Sequence, residues 1–228
     1  HKSGKVLESV INDVLDYSML LARKFVINIK DNYLLKSLEK IRYLCEFQAQ
    51  KRNLEFHISL SQKLNYVVGT DHRRLRQILT NLLNNAIRFT NKGFVSLRIE
   101  PHQENPDLIQ FIVKDSGIGI PKDALARMTH MLDKGNVLNK LSKEASGVGM
   151  GLTISHLLAR ELGPTSGRLS GIKIESTAGE GSKFWFVVEN WARTGDTPVK
   201  RSPDRSSYKH SKSIYGNENF SNYITGHN

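Results

Sequence analysis

Two asparagines four residues apart, Asn81 and Asn85, interrupt a run of leucines, and an arginine follows at Arg88. In "DHRRLRQILTNLLNNAIRFTNKG", residues 71–93, Leu75, Ile78, Leu79, Leu82, Leu83 and Ala86 recur at helical spacing and form a face that packs on a sheet. Gln77, Asn81, Asn85 and Arg88 fall on the opposite side. Such a polar side is ordinarily just solvated, and then carries Glu and Lys. Asparagine is a mediocre helix former, so two amides in mid-helix argue for a use. A neutral amide oxygen is a hard ligand suited to Mg2+, and a guanidinium is a phosphate partner.

A second stretch, "VKDSGIGIPKDAL" (113–125), ends an apolar run on a carboxylate, Asp115, and then drops its side chains at Gly117 and Gly119. A buried carboxylate requires a partner, and glycines let a backbone approach something closely. In a third, "SGVGMGLTISHLLARELG" (146–163), Gly147, Gly149 and Gly151 alternate directly before a helix. Backbone amides at a helix N-terminus cradle phosphate, although glycine-rich loops often serve flexibility alone. The spacing fits neither the Walker loop nor the dinucleotide fingerprint. A fourth, "STAGEGSKFWF" (176–186), reads by itself as a β-turn before a strand.

The elements that must position these residues follow from periodicity. Helices are expected over 34–52, 71–90 and 152–162, and strands over 55–60, 94–100, 108–114, 171–176 and 183–189, with a long polar segment at 121–146. The fold class is α+β. Three helices cover a mixed, mostly antiparallel sheet of about five strands in a two-layer α/β sandwich. A helix over 5–25 precedes it. Leu7, Val10, Val14, Tyr17 and Leu21 form its seam at spacings of 3 and 4, which suits either a partner helix or the domain surface. Beyond Trp191 the pattern stops in a Ser-, Asn- and Lys-rich stretch that reads as a disordered tail or linker. The expected units are therefore 1–25, the leading helix; 26–192, the sandwich; and 193–228, the tail.

Composition narrows the function classes. The 228 residues carry a net charge of +11, but the basic residues are scattered and not interleaved with aromatics, so no nucleic-acid partner is expected. Eight histidines show no metal-ligand spacing. The single cysteine, Cys45, excludes an internal disulfide framework and suits a reducing compartment. No apolar run approaches a membrane span and no signal peptide is evident. The expected location is cytoplasmic, with no membrane contact by this chain, although a parent protein could be membrane-anchored.

The order of the four motifs resembles the ATP-binding domain of sensor histidine kinases, within the superfamily shared with gyrase, the heat-shock chaperone ATPases and MutL. "NLLNNAIRFT" looks like their N box, "DSGIGI" and "GVGMGLTIS" like their glycine boxes, and "GEGSKFWF" like their closing motif. The resemblance covers about 34–190, and "VLESVINDVLDYS" looks like the second helix of the dimerisation module of hybrid kinases. It implies ATP and Mg2+ as ligands. On that resemblance Asp115 accepts from the adenine amino group, and Gly117, Gly119 and Ile120 line the base. Asn85, with Asn81 nearby, holds Mg2+. Arg88 stands for a phosphate-contacting lysine, and Phe89 takes a position often aromatic beside the nucleotide. Gly147, Val148, Gly149, Met150, Gly151 and Leu152 wrap the phosphates, Ser182 belongs to the closing motif, and 122–146 is a mobile lid.

The sequence departs from the family pattern in three places. The lid lacks a Phe-containing box, Met150 replaces a leucine, and the 163–171 segment is longer than usual. The implied partners are a response-regulator receiver domain and a phosphoacceptor helix of the same or a sister subunit, in a homodimeric parent. No histidine here stands in the phosphoacceptor context, so the chain alone is expected to be inactive. Three readings stay open: a protein histidine kinase, a conformational ATPase of the gyrase or chaperone kind, and a degenerate nucleotide-binding module. Hydrolytic relatives place a glutamate where this chain has Asn81, which cannot accept water's proton.

Overall fold

The computed structural model describes residues 18–134 and 150–192, apart from 21, 23, 65 and 165. The seam at Leu7, Val10, Val14, Tyr17 and Leu21, the glycines Gly147 and Gly149 with Val148, and the expected tail at 193–228 lie outside the described residues.

Helix α1 (Leu34–Gln50) buries Leu34, Leu38, Ile41, Cys45 and Ala49, one residue per turn. It stops at Asn53, whose φ of 53° is the left-handed conformation that asparagine tolerates, and the Leu54 N–H closes on the Ala49 carbonyl at 3.0 Å. The amide-bearing helix, α2 (His72–Phe89), starts at Asp71, whose Oδ1 accepts from the backbone of Arg73 and Arg74 at 3.1 Å each. It ends at Thr90, whose hydroxyl donates to the Ala86 carbonyl at 2.7 Å.

The main sheet runs β2 (Glu55–Leu60), β4 (Phe94–Pro101), β5 (Leu108–Asp115), β7 (Gly181–Glu189) and β6 (Lys173–Thr177). The β2–β4 pair is parallel, joined by a crossover through α2, and the other pairs are antiparallel. The expected mixed, mostly antiparallel five-stranded sheet is therefore present. Together with α1 and α2, a later helix, α4 (Met150–Leu162), packs on the sheet. Phe111 and Phe186, on neighbouring strands, stack with centroids 5.2 Å apart in the core.

Two features depart from the expectation. The polar stretch after Pro121 contains a helix, α3 (Lys122–Lys134), instead of continuous loop. Its apolar stripe is thin: Leu132 is buried while Leu125 and Met128 are half-buried, so the composition hides the period. In addition β1 (Lys30–Tyr33) and β3 (Val67–Thr70) form a separate two-stranded sheet. The buried His72 anchors it. Its Nε2–H points at the carbonyls of Val68 (2.9 Å) and Lys30 (3.1 Å), while Nδ1 accepts from the Ser37 hydroxyl at 2.8 Å. No helix among the described residues is long and apolar enough to cross a membrane.

Candidate functional site

The site is built around α2, which the other motifs approach at its C-terminal end and along its side. At its C-terminal end, Phe89 offers its carbonyl to the N–H of Ile118, 3.1 Å away, tying the helix to the turn after β5. That turn exists because Gly117 has no side chain. A Cβ there would strike the Phe89 carbonyl and lie 2.8 Å from Asp115 Oδ1. Gly119 has a φ of 64°, and the Thr177 carbonyl occupies the space a side chain would need. The Ile118 carbonyl receives the Gly179 N–H at 2.8 Å, and the Ile120 N–H donates to Ser176 Oγ at 2.9 Å. Three motifs distant in sequence thus form one hydrogen-bonded wall.

Asp115 stands at the end of β5, paired in register with Val95 and Ser182. It is 4% exposed, and its Oδ1 accepts from the Gly117 N–H at 2.8 Å. Burial pushes its carboxyl above the usual aspartate range, against the opposing pull of the Gly117 and Ser182 backbone N–H groups. Ser182 Oγ lies 3.0 Å from Ser176 Oγ, which donates to the Gly181 carbonyl at 2.8 Å.

On α2 itself, Arg88 donates to Asn85 Oδ1 at 2.9 Å and lays its guanidinium 4.5 Å from the centre of the Phe89 ring. Arg88 and Phe89 are exposed and Asn85 is half-buried, so a cation, an amide and an aromatic face share one accessible corner. Gln77 sits apart from this corner, accepting from Arg74 at 2.9 Å. Asn81 faces α4 rather than open solvent: its Nδ2 donates to Ser155 Oγ at 3.0 Å.

Gly151 and Leu152 fall in the first turn of α4, which Met150 opens. Leu152 belongs to the hydrophobic core, so its side chain fixes the helix rather than lining a ligand surface. Sequence reasoning overlooked Ser155, Ser176 and Thr153. The Thr153 hydroxyl is buried without a hydrogen-bond partner among the described residues. Serines and threonines in a helix or at a strand end have no distinguishing spacing, so no sequence signal singled them out.

Residues 70–191 match the family described as histidine kinase-, DNA gyrase B-, and HSP90-like ATPase. The aerobic respiration control sensor protein ArcB of Escherichia coli K12 is 34% identical over 188 residues, covering 82% of this chain and 23% of ArcB. Hybrid signal transduction histidine kinase B of Dictyostelium discoideum is 35% identical over 191 residues, covering 82% of this chain and 9% of that protein. The chain therefore spans less than a quarter of the length of these relatives. Among solved structures, full-length ShkA in complex with AMPPNP superposes with a TM-score of 0.66 at 27% identity, over 84% of this chain and 38% of that one.

Proposed function

The chain belongs to the histidine kinase-, DNA gyrase B- and HSP90-like ATPase family, and on that premise we propose that it is the ATP-binding catalytic part of a hybrid sensor histidine kinase. The observation that carries the kinase reading over the hydrolytic one is Asn81. A hydrolase needs a group that takes a proton from the attacking water. An amide takes none, and here its NH2 is committed to Ser155.

In this reading the Asp115 carboxylate accepts from the adenine amino group, with Gly117, Gly119 and Ile120 forming the wall the base lies against. Arg88 and the first turn of α4 hold phosphate oxygens. Among the described residues no cluster of three His, Cys, Asp or Glu could cage a metal. Mg2+ typically keeps waters and leans on substrate phosphates with one or two protein oxygens; Asn85 would offer it the lone pair of Oδ1 that the Arg88 bond leaves over, with Asn81, whose amide is engaged with α4, nearby. When bound, Mg2+ would offset the charge on the phosphates.

In the transfer a histidine ring nitrogen attacks the γ-phosphorus. The N–P bond forms as the bond to the β,γ-bridging oxygen breaks; ADP leaves and the imidazole releases its N–H proton. The chain's own work is positioning and charge stabilisation. The phosphoacceptor helix of the same or a sister subunit, a receiver domain taking the phosphoryl onto aspartate, a homodimeric parent and a cytoplasmic setting complete the proposal. ATP as substrate and one reduced, buried cysteine, Cys45, fit that setting.

Calorimetric titration with Mg-ATP tests it. The chain should bind Mg-ATP and Mg-ADP, and Asn85→Ala should remove most of the magnesium-dependent part of the affinity. Unchanged affinity in that variant, with and without magnesium, would take Asn85 out of the site.

A further inference from the structure

Asn81 touches α4 at two points one helical turn apart. Its Nδ2 donates to Ser155 Oγ at 3.0 Å, and Ser155 is 1% exposed. Its carbonyl occupies the place where Gly151 lacks a side chain: a Cβ on Gly151 would lie 2.5 Å from Asn81 Oδ1 and 3.1 Å from Cγ. Residues 151 and 155 share one face of α4, because positions four apart on a helix are neighbours. A single planar amide therefore spans that face, hydrogen-bonded at one end and in steric contact at the other. Sliding α4 along its axis, or turning it, would break the hydrogen bond or drive a backbone into the carbonyl.

The first turn of α4 carries backbone N–H groups that have no partner inside the helix, and the carbonyl end of Asn81, with its negative partial charge, lies against that turn. We propose that Asn81 is a positioning residue that fixes the axial place of α4, and hence of the backbone N–H groups that hold the nucleotide phosphates, through Ser155 and Gly151. The proposal deepens the ATP reading and rests on it. It assigns a use to the position where a hydrolase carries its base: the amide that cannot activate water is employed as a clamp between two helices. The pairing also explains why Asn81 turns its amide toward α4.

A metal-ligand role and a positioning role for Asn81 make different predictions for Ser155, whose side chain is buried against Asn81. ADP and adenosine are titrated into the wild-type chain and the Asn81→Ala, Ser155→Ala and doubly substituted chains, in EDTA and again with Mg2+. Each single substitution should weaken ADP about three- to tenfold, the range of one neutral hydrogen bond, and should do so in EDTA as well. The double variant should be no worse than the worse single one, since both remove the same contact. Adenosine affinity should stay unchanged in all of them, because adenosine has no phosphate to misplace.

An effect of Asn81→Ala that appears only with Mg2+, beside an inert Ser155→Ala, would overturn the clamp in favour of a metal ligand. Additive losses would overturn the pairing. Equal losses of adenosine and ADP would reduce it to general damage to the fold. Should the wild-type chain bind no nucleotide at all, the ATP reading falls and the phosphate role with it. Coupling between the two substitutions in thermal unfolding, measured without ligand, would then still show whether the amide clamps the helices.

Discussion

Asp115 keeps only 4% of its surface in water and accepts the Gly117 N–H on Oδ1; in the ATP reading its remaining acceptor capacity meets the adenine amino group, since a buried acceptor needs a donor. An exocyclic amino group satisfies it; a carbonyl at the same place does not. Leaving a buried polar group unpaired costs about 1–3 kcal/mol, so GTP should bind about ten- to a hundredfold more weakly than ATP. Equal affinities in a competition titration would remove Asp115 from base selection. Burial raises the carboxyl above its ordinary 3.8, so acid should weaken adenosine binding sooner than for a free aspartate, as protonation turns the acceptor into a donor. The burial of this residue at the end of β5 was legible in the sequence because an apolar strand ending on Asp and two glycines is an unusual juxtaposition. The fate of Asn81 was not. Its partners Gly151 and Ser155 stand 70 and 74 residues away, and helical periodicity reports only the side of α2, not what lies there.

At the scale of elements, α1 and α2 were legible because each buries a full stripe of aliphatic side chains, and the strands because apolar runs alternate or end in turn residues. By contrast α3 buries only Leu132 fully, and β1 and β3 have four residues each, too short for any pattern to stand out. Within α4 a different property matters. His156 is 4% exposed and packs its ring against Gly171, and its Nδ1 accepts the Ile172 N–H at 3.2 Å. The ring is thus held neutral with its proton on Nε2. Burial, reinforced by the nearby charges of Arg160 and Lys173, lowers its pKa from 6.5 to about 4. The unfolded chain takes up this proton near pH 6.5 and the folded chain refuses it until about 4. The stability that His156 contributes is therefore complete above 6.5 and lost as pH falls through that window, by an amount on the order of 3 kcal/mol. Asp115, with its raised pKa, acts in the opposite direction at the acid end. Urea unfolding at pH 7 and pH 5 should show wild type losing more stability than His156→Leu; identical losses would place the acid sensitivity elsewhere.

Across the described residues, the first and last segments of the sandwich meet at one place. Residues 24–33 lie against β3 and the start of α2: the Asn28 N–H donates to Asp71 Oδ2 at 3.0 Å, and the Arg74 guanidinium covers the Phe25 ring at 4.7 Å. On the exit side, the Trp191 N–H donates to the Gly69 carbonyl at 2.8 Å, and Asn190 Oδ1 accepts the Gly69 N–H at 2.9 Å. The sandwich is thereby closed on itself, with the hydrogen-bonded wall of Gly117 to Ile120 at one end of α2 and the proposed clamp on α4 along its side. Two reacting groups are nevertheless missing. No histidine of this chain stands in a phosphoacceptor context, and position 81 offers no carboxylate to activate water. The isolated chain should therefore bind ATP yet neither label itself nor hydrolyse at a useful rate. Transfer depends on bringing an imidazole within near-attack distance of the γ-phosphorus, so adding a helix that bears the histidine, in the same or a separate polypeptide, should restore it. The product should be a phosphoramidate, labile in acid and stable in base, whereas a serine phosphate behaves oppositely. With ATP radiolabelled in the γ-phosphate, one gel and one acid wash read the outcome. Robust hydrolysis by the isolated chain would point to the conformational ATPase. Tight binding without transfer to a supplied histidine would point to the degenerate module.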